Sequence, residues 1–332
     1  LIKIGKEPPM KLPSRLILFA ALSLLLAGLR LAAEGFQPTG SMKQARLFHT
    51  ATLLNDGRVL VIGGIDPANV GTNPPAPISA LPSVEIYDPA TGIWSEGAPL
   101  AEPRCGHTAT LLPNGEVFVA GGMSVYYGGS DYSYFLESDY LATTSAAIYN
   151  PTRNDWRTVD PMKIGHGFHS ATLLPDGRVL IAGGDADYGG FRGKPELFSY
   201  ETEYFDPARE AWNPGGPFST YTSFPMQTGR FGHGVLLLAD YRLLVAGGRE
   251  QVPNRWGSAP ADLKNAELFR TETGTWRPAA TMPTYCFRPM LHLLEDGTVL
   301  LAAWSPNFSI AARYDPVLDL WTSAPASAQV HV

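Results

Sequence analysis

The chain has 332 residues, 45% hydrophobic and only 17% charged, with 34 Gly, 29 Pro and a net charge of −6. Turn-forming residues spread along its whole length, with no sustained helical period of apolar residues, exclude a helical bundle and point to many short strands. The acidic balance disfavours nucleic acid or an anionic membrane as a partner, and two cysteines, Cys105 and Cys286, are too few for a disulfide framework.

The first segment does not share that pattern. Met10-Lys11-Leu12-Pro13-Ser14-Arg15 is a short basic lead, Leu16 to Leu29 an almost unbroken apolar run, and the small residues Ala32-Ala33 precede Glu34. This is the three-part layout of a secretory signal peptide. The run of about 14 residues is short of the ~20 that cross a bilayer as a helix. Residues 1–33 are therefore expected to be a signal removed on export, with the true start at Met10. Residues 34–332 are expected to be one β domain, secreted or periplasmic and not inserted in a membrane. Losing five cations and one acid with the signal takes the net charge from −6 to −10.

From Arg46 onward one pattern returns five times. Unit one reads Arg46-Leu47-Phe48-His49, Leu53-Leu54-Asn55-Asp56-Gly57, Gly63-Gly64, Tyr87-Asp88-Pro89 and Trp94. Unit two repeats it with Arg104, His107, Asn114-Gly115, Gly121-Gly122, Tyr149-Asn150-Pro151 and Trp156. Unit three has His169, Asp176-Gly177, Gly183-Gly184, Phe205-Asp206-Pro207 and Trp212. Unit four has Arg230, His233, Asp240-Tyr241, Gly247-Gly248, Phe269 and Trp276. Unit five is worn, with Asp296-Gly297, Ala302-Ala303 where the Gly pair should stand, Tyr314-Asp315-Pro316 and Trp321. Asp-Gly or Asn-Gly between apolar runs is a hairpin signal, because that turn needs positive φ. The Gly pair ends a second strand where the backbone bends or is closely approached. Asp-Pro turns the third strand into a fourth that carries the Trp. Four antiparallel strands per unit make a β-propeller blade, so the fold class is all-β.

These residues resemble the kelch repeat family: paired glycines, an aromatic, then a Trp at loop-dependent spacing, in the secreted bacterial style of Arg-x-x-His and Leu-Leu-x-Asp-Gly. The resemblance covers about residue 36 to the end and implies a kelch-like propeller. Fold alone does not imply function. A more distant resemblance joins Phe168-His169-Ser170 and Leu174-Pro175-Asp176-Gly177-Arg178-Val179 to the propeller of galactose-oxidase-like copper enzymes. There a Tyr before the His binds copper; here Phe48, Gly106, Phe168 and Gly232 hold that position and cannot ligate. Blade number stays open. Phe36 stands ten positions before Arg46, as Trp94 stands before Arg104 and Trp276 before Cys286, so residues 36–45 read as the last strand of a preceding blade.

The repeat absorbs most chemical candidates. The seven histidines all fall in the connector and first strand of a unit, which in the resembled blades lines the channel. They read either as a ring able to hold a transition metal or as repeat residues that hydrogen-bond the backbone of a neighbouring blade. One per blade favours the second, and no metal, cofactor or catalytic residue is expected. Glu85 and Glu203 are expected to pair across units with Arg104 and Arg230. The aperiodic parts are the loops, and loops carry function. Alternating strand direction puts the loops after each second strand on the face of the interblade connectors. Tyr126, Tyr127, Tyr132, Tyr134, Tyr188 and Trp256 gather there with Asp185 and Asp187, a mixture that suits a protein or glycan ligand. Asp185-Ala186-Asp187 starts like a calcium loop without the full ligand series. The expected function is binding of protein or glycan through this face. The rivals are a sugar-active enzyme, oxidase-like or mutarotase/epimerase-like, and a structural module of a surface assembly.

Overall fold

The computed structural model describes residues 38–69, 77–127, 142–187, 199–212, 225–254, 257–305 and 308–324. Residues 42–332 make one compact unit, apart from residues 1–41. Among the described residues that unit has five four-stranded antiparallel sheets, each in sequential strand order, and three two-stranded ribbons. Blade one is Thr50–Leu53, Val59–Ile62, Val84–Asp88 and Ile93–Gly97. Blade two is Thr108–Leu111, Val117–Ala120, Ala146–Asn150 and Asp155–Val159. Blade three is Ser170–Leu173, Val179–Ala182, Thr202–Asp206 and Ala211–Trp212. Blade four is Gly234–Leu237, Arg242–Ala246, Ala266–Arg270 and Thr275–Pro278. Blade five is Met290–Leu293, Val299–Ser305, Phe308–Asp315 and Leu320–Ser323.

Strand alternation explains how the blades stack. Leu60 and Ile62 point one way from blade one and, with Leu54 and Ile86, meet Val117, Val119 and Tyr149 of blade two. The same arrangement joins blades two and three, three and four, and four and five. The second strands of blades one to four are buried on both faces, so they read as continuous apolar runs rather than alternating ones, whereas in blade five Leu300 and Ala302 are only half-buried. At the outer edge, each third-strand aromatic packs at a tilt against the fourth-strand Trp, from Tyr87–Trp94 at 5.0 Å to Tyr314–Trp321 at 4.9 Å between ring centroids.

The glycines sit where backbone geometry requires them. Gly57, Gly115, Gly177 and Gly297 turn the first hairpin with φ near +80° to +86°. In blade four Tyr241 takes the same turn at φ +64°, over half exposed. The Gly pair is a docking point: a Cβ on Gly63 would lie 2.3 Å from the Arg104 carbonyl oxygen. Gly64 N–H donates to that same carbonyl at 2.9 Å, and Gly122, Gly184 and Gly248 repeat the bond to the next connector. In blade five Ala302 pairs with Met290 as Ile62 does with Thr50, so the pair's positions fall one residue later than expected, at Ala303 and Trp304, and strand Val299–Ser305 runs straight through them.

The end blades are not joined in this way. First strands of successive blades lie side by side from one to five, and among the described residues no comparable contact joins five to one. Among those residues no apolar core joins them either, and Leu53 is 64% exposed.

Candidate functional site

Each blade is entered by a four-residue stretch that holds the candidate chemistry. Arg46 donates to the Gly63 and Ser83 carbonyls at 2.8 and 3.0 Å and to the Glu85 carboxylate at 2.6 Å, with both charged side chains buried. Arg230 repeats this with Gly247 and Glu267. The expected cross-unit pairs Glu85–Arg104 and Glu203–Arg230 are therefore wrong: the partners belong to one blade. Each Glu also accepts from its own connector, Glu85 from Lys43 and Gln44 N–H, Glu267 from Gln227 and Thr228 N–H. The charge pair thus ties a connector to the third strand of the blade it enters. Where Ala147 replaces the Glu, Arg104 turns to Ser145 Oγ at 2.7 Å. Where His166 replaces the Arg, it bonds the Gly183 carbonyl at 2.7 Å and stands 3.4 Å from Glu203. In blade five both members are apolar, Cys286 and Ala312, and both are buried.

The histidines latch neighbouring blades. His107 Nε2 shares a 2.9 Å hydrogen bond with Thr50 Oγ1, His169 Nε2 a 2.8 Å bond with Thr108, and His233 Nε2 a 2.9 Å bond with Ser170. The partner is thus a side-chain hydroxyl of the preceding blade, not its backbone. Blade four carries Gly234 in the hydroxyl position, and blade five correspondingly carries Pro289 in the His position. Burial first, then the neighbouring Arg, holds His107 and His233 down at about 3. Burial lowers His169 well below its ordinary value, and His49 shifts the same way. These shifts favour neutral imidazoles, and in His107, His169 and His233 the Nε2 atom is the one engaged. Among the described residues no group of three or more His, Cys, Asp or Glu is placed to hold a metal. Burial pushes the thiols of Cys105 and Cys286 up to about 12, and both are free.

The residue before each His, and before Pro289 in blade five, forms the channel rim. Phe48, Gly106, Phe168, Gly232 and Arg288 all have left-handed φ between +51° and +61°. Their backbones form a chain of hydrogen bonds: Gly106 N–H to Phe48 O, Phe168 to Gly106, Gly232 to Phe168, and Arg288 to Gly232. Large and small side chains alternate because the rings need the space. A Cβ on Gly106 would be 2.9 Å from the Phe168 ring, and one on Gly232 would be 2.4 Å from Phe287. Phe48 and Phe168 meet edge to face at 5.3 Å. The Arg288 guanidinium lies 4.9 Å from the Phe48 ring centroid and 5.1 Å from those of Phe168 and Phe287. A cavity of about 330 Å³ opens at this rim, lined by Phe48, His49, Gly106, His107, Phe168, His169, Gly232, His233, Arg288 and Pro289.

The predicted aromatic face is reached only in part. Tyr132, Tyr134, Tyr188 and Trp256 lie outside the described residues. Tyr126 and Tyr127 stand on a short strand that pairs with Ile78 and Pro77, so the loop of blade two is stitched to that of blade one. Asp185 and Asp187 stand on a strand paired with Gly167 and Gly165. Strand Arg249–Asn254 pairs antiparallel with Gly257–Asp262. Beneath the first of these ribbons Ile65, Ile78, Ala80, Cys105 and Met123 make a small core against Phe48 and Phe168. Arg288 and Phe287 were not among the expected site residues. The signal for them was the loss of Arg-x-x-His in unit five, which reads Cys286-Phe287-Arg288-Pro289.

Comparison with known proteins agrees with the geometry. The Kelch motif family profile matches residues 46–101. Beta-scruin of Limulus polyphemus is 29% identical over 157 residues, 47% of this chain and 15% of that protein. Kelch-like protein 40 of Xenopus laevis is 25% identical over 197 residues, 59% of this chain and 27% of its own length. Kelch-like protein 23 of Homo sapiens is 30% identical over 137 residues, 40% and 20% of the two chains. The match thus spans well under half of each of these relatives. The solved structure of YjhT superposes with a TM-score of 0.62 at 15% identity, over 85% of this chain and 86% of that one. At that identity the likeness concerns fold alone.

Proposed function

We propose that this kelch-repeat β-propeller is an exported binding module that holds a protein partner on the face carrying the channel rim and the long loops. The observation that carries the reading is the division of labour within the blade. The periodic Arg, Glu and His hold blades and connectors together, whereas the aperiodic loop residues have no such repeat role and are expected, from the alternating strand direction, on one face. Rigid scaffolds with variable loops are suited to recognition. Two of the three relatives named above are kelch proteins by name, and kelch repeats generally mediate protein binding. Export is supported by the basic lead, apolar run and small residues of positions 10–33. Among the described residues no helix is long and apolar enough to cross a membrane.

The test is a selection of displayed random peptides on the mature chain, run beside a glycan array. Peptides should be enriched, and Tyr126→Ala, Tyr132→Ala and Tyr188→Ala should each weaken them several-fold. Glycan binding without peptide enrichment would replace the protein reading with the glycan one. Unchanged affinities in all three variants would move the site off this face.

A further inference from the structure

We infer that the exposed face of blade one is the docking surface of a further blade, a four-stranded antiparallel unit whose inner strand opens on Ser or Thr. Blade five is then not the neighbour of blade one. The inference concerns the seam and does not depend on the binding face proposed above.

The histidine latches obey a rule. At three joints a His meets a hydroxyl of the preceding blade, His107 with Thr50, His169 with Thr108 and His233 with Ser170. At the fourth joint both members are gone together, as Gly234 and Pro289. An imidazole packed between blades without its hydroxyl keeps an unpaired polar atom, so the two groups are retained or lost as a pair. Blade one retains His49. Blade five offers it no hydroxyl: Met290 pairs with Ala302 as Thr50 pairs with Ile62, and so stands in the hydroxyl position. A second copy of the chain would bring the same Met290. The blade that complements His49 carries Ser or Thr there.

The apolar face of blade one repeats one half of an interface formed four times elsewhere. At each joint a leucine leaving one inner strand shares a core with the leucine entering the next, Leu54 with Leu111 and Leu112 with Leu173, for example. Blade one keeps the entering set. Ala51 is exposed, Leu53 is 64% exposed, and Val59 is half-buried where Val117, Val179 and Leu243 are fully buried. Blade five does not supply the other half. The position paired with its second strand as Ile86 is with Leu60 is Arg313, exposed and ion-paired with Asp296. Closing that ion pair under an apolar face would take it out of water without new partners.

The connector into blade one is also of the interblade kind. Lys43 and Gln44 donate their N–H groups to Glu85, as Lys163 and Ile164 do to Glu203 and Gln227 and Thr228 do to Glu267. The last two of these connectors run from one blade to the next.

Two thiol measurements test this, since the native Cys105 and Cys286 are at most 2% exposed. In the first, Leu53→Cys and Leu294→Cys are combined in the mature chain and treated with a short bismaleimide. Were blade five against blade one, these positions would share a core as Leu54 and Leu111 do. No cross-link is expected. An efficient one within a chain overturns the inference, and one between two chains gives the face to a second copy and overturns it equally. In the second, a copy of unit three, with Pro in place of the His copied from His169, is appended to the mature chain. The maleimide reaction of Leu53→Cys should then slow about tenfold. Changing the serine copied from Ser170 to Ala should restore much of the rate, and His49→Gln should abolish that difference. No slowing, with circular dichroism showing the added strand, overturns the docking surface; slowing indifferent to both the serine and His49 overturns the latch. A copy of unit two replaces that of unit three if the latter does not fold, and if neither folds the cross-link decides alone.

Discussion

Three imidazoles latch the blades, and their neutrality makes the latch sensitive to acid. His107 and His233 titrate at about 3 in the fold and near 6.5 when exposed. Between those values the unfolded chain binds more protons than the folded one, so stability rises with pH across the window. It is fully present above about pH 6.5 and is lost as the pH falls toward 3. Across that window each histidine withdraws at most about 1.4 kcal/mol for every step of one in pH. Urea midpoints should fall steadily from pH 6.5 to 4.5, above most carboxylate titration, and fall less steeply in His107→Gln. A midpoint flat across that window would count against buried neutral histidines. The sequence showed these residues as periodic; that their partners are hydroxyls on the preceding blade required the packed ring.

The connector is the element whose attachment distinguishes one blade from the next. Arg230 and Glu267 tie it to the third strand of blade four with both side chains almost wholly buried. Removing one charge leaves the other unpaired in the interior, which costs about 3–5 kcal/mol. Glu267→Gln should therefore lower the unfolding free energy by an amount of that order. Blade five shows the apolar alternative, Cys286 with Ala312. The double variant Arg230→Cys with Glu267→Ala should consequently lose less than the sum of its singles, as a double-mutant cycle would measure. Strict additivity would mean that the two groups do not share one interaction. The pairing was misread from sequence because consecutive units bring each Glu close, along the chain, to the Arg of the next unit. Strand order in the sheet instead places it beside the Arg of its own.

At the scale of the molecule, four interblade cores join five blades, and among the described residues none closes five onto one. Equivalent leucines report on the seam: Leu111 packs against the core between blades one and two, whereas Leu53 is 64% exposed. Leu53→Lys should change the melting temperature by about a degree or less, consistent with the small effect of surface substitutions. Leu111→Lys should lower it by several degrees, since it puts a charge against an apolar core. Equal losses would show that the seam is closed.

The repeat by itself determined the blade, its turns and its packing faces. Asp-Gly turns, Gly pairs and apolar second strands are local demands of backbone geometry and period-two burial, and each is visible within one unit. The exported, acidic character and the aromatic loops were also readable there as expectations. Which groups meet was decided by tertiary structure alone. Arg46 finds Glu85 39 positions away, His107 finds Thr50, and Arg288 leans on Phe48 and Phe168 from blades one and three. Contacts across a ring depend on how blades are arranged around the channel, which no spacing within a single unit encodes.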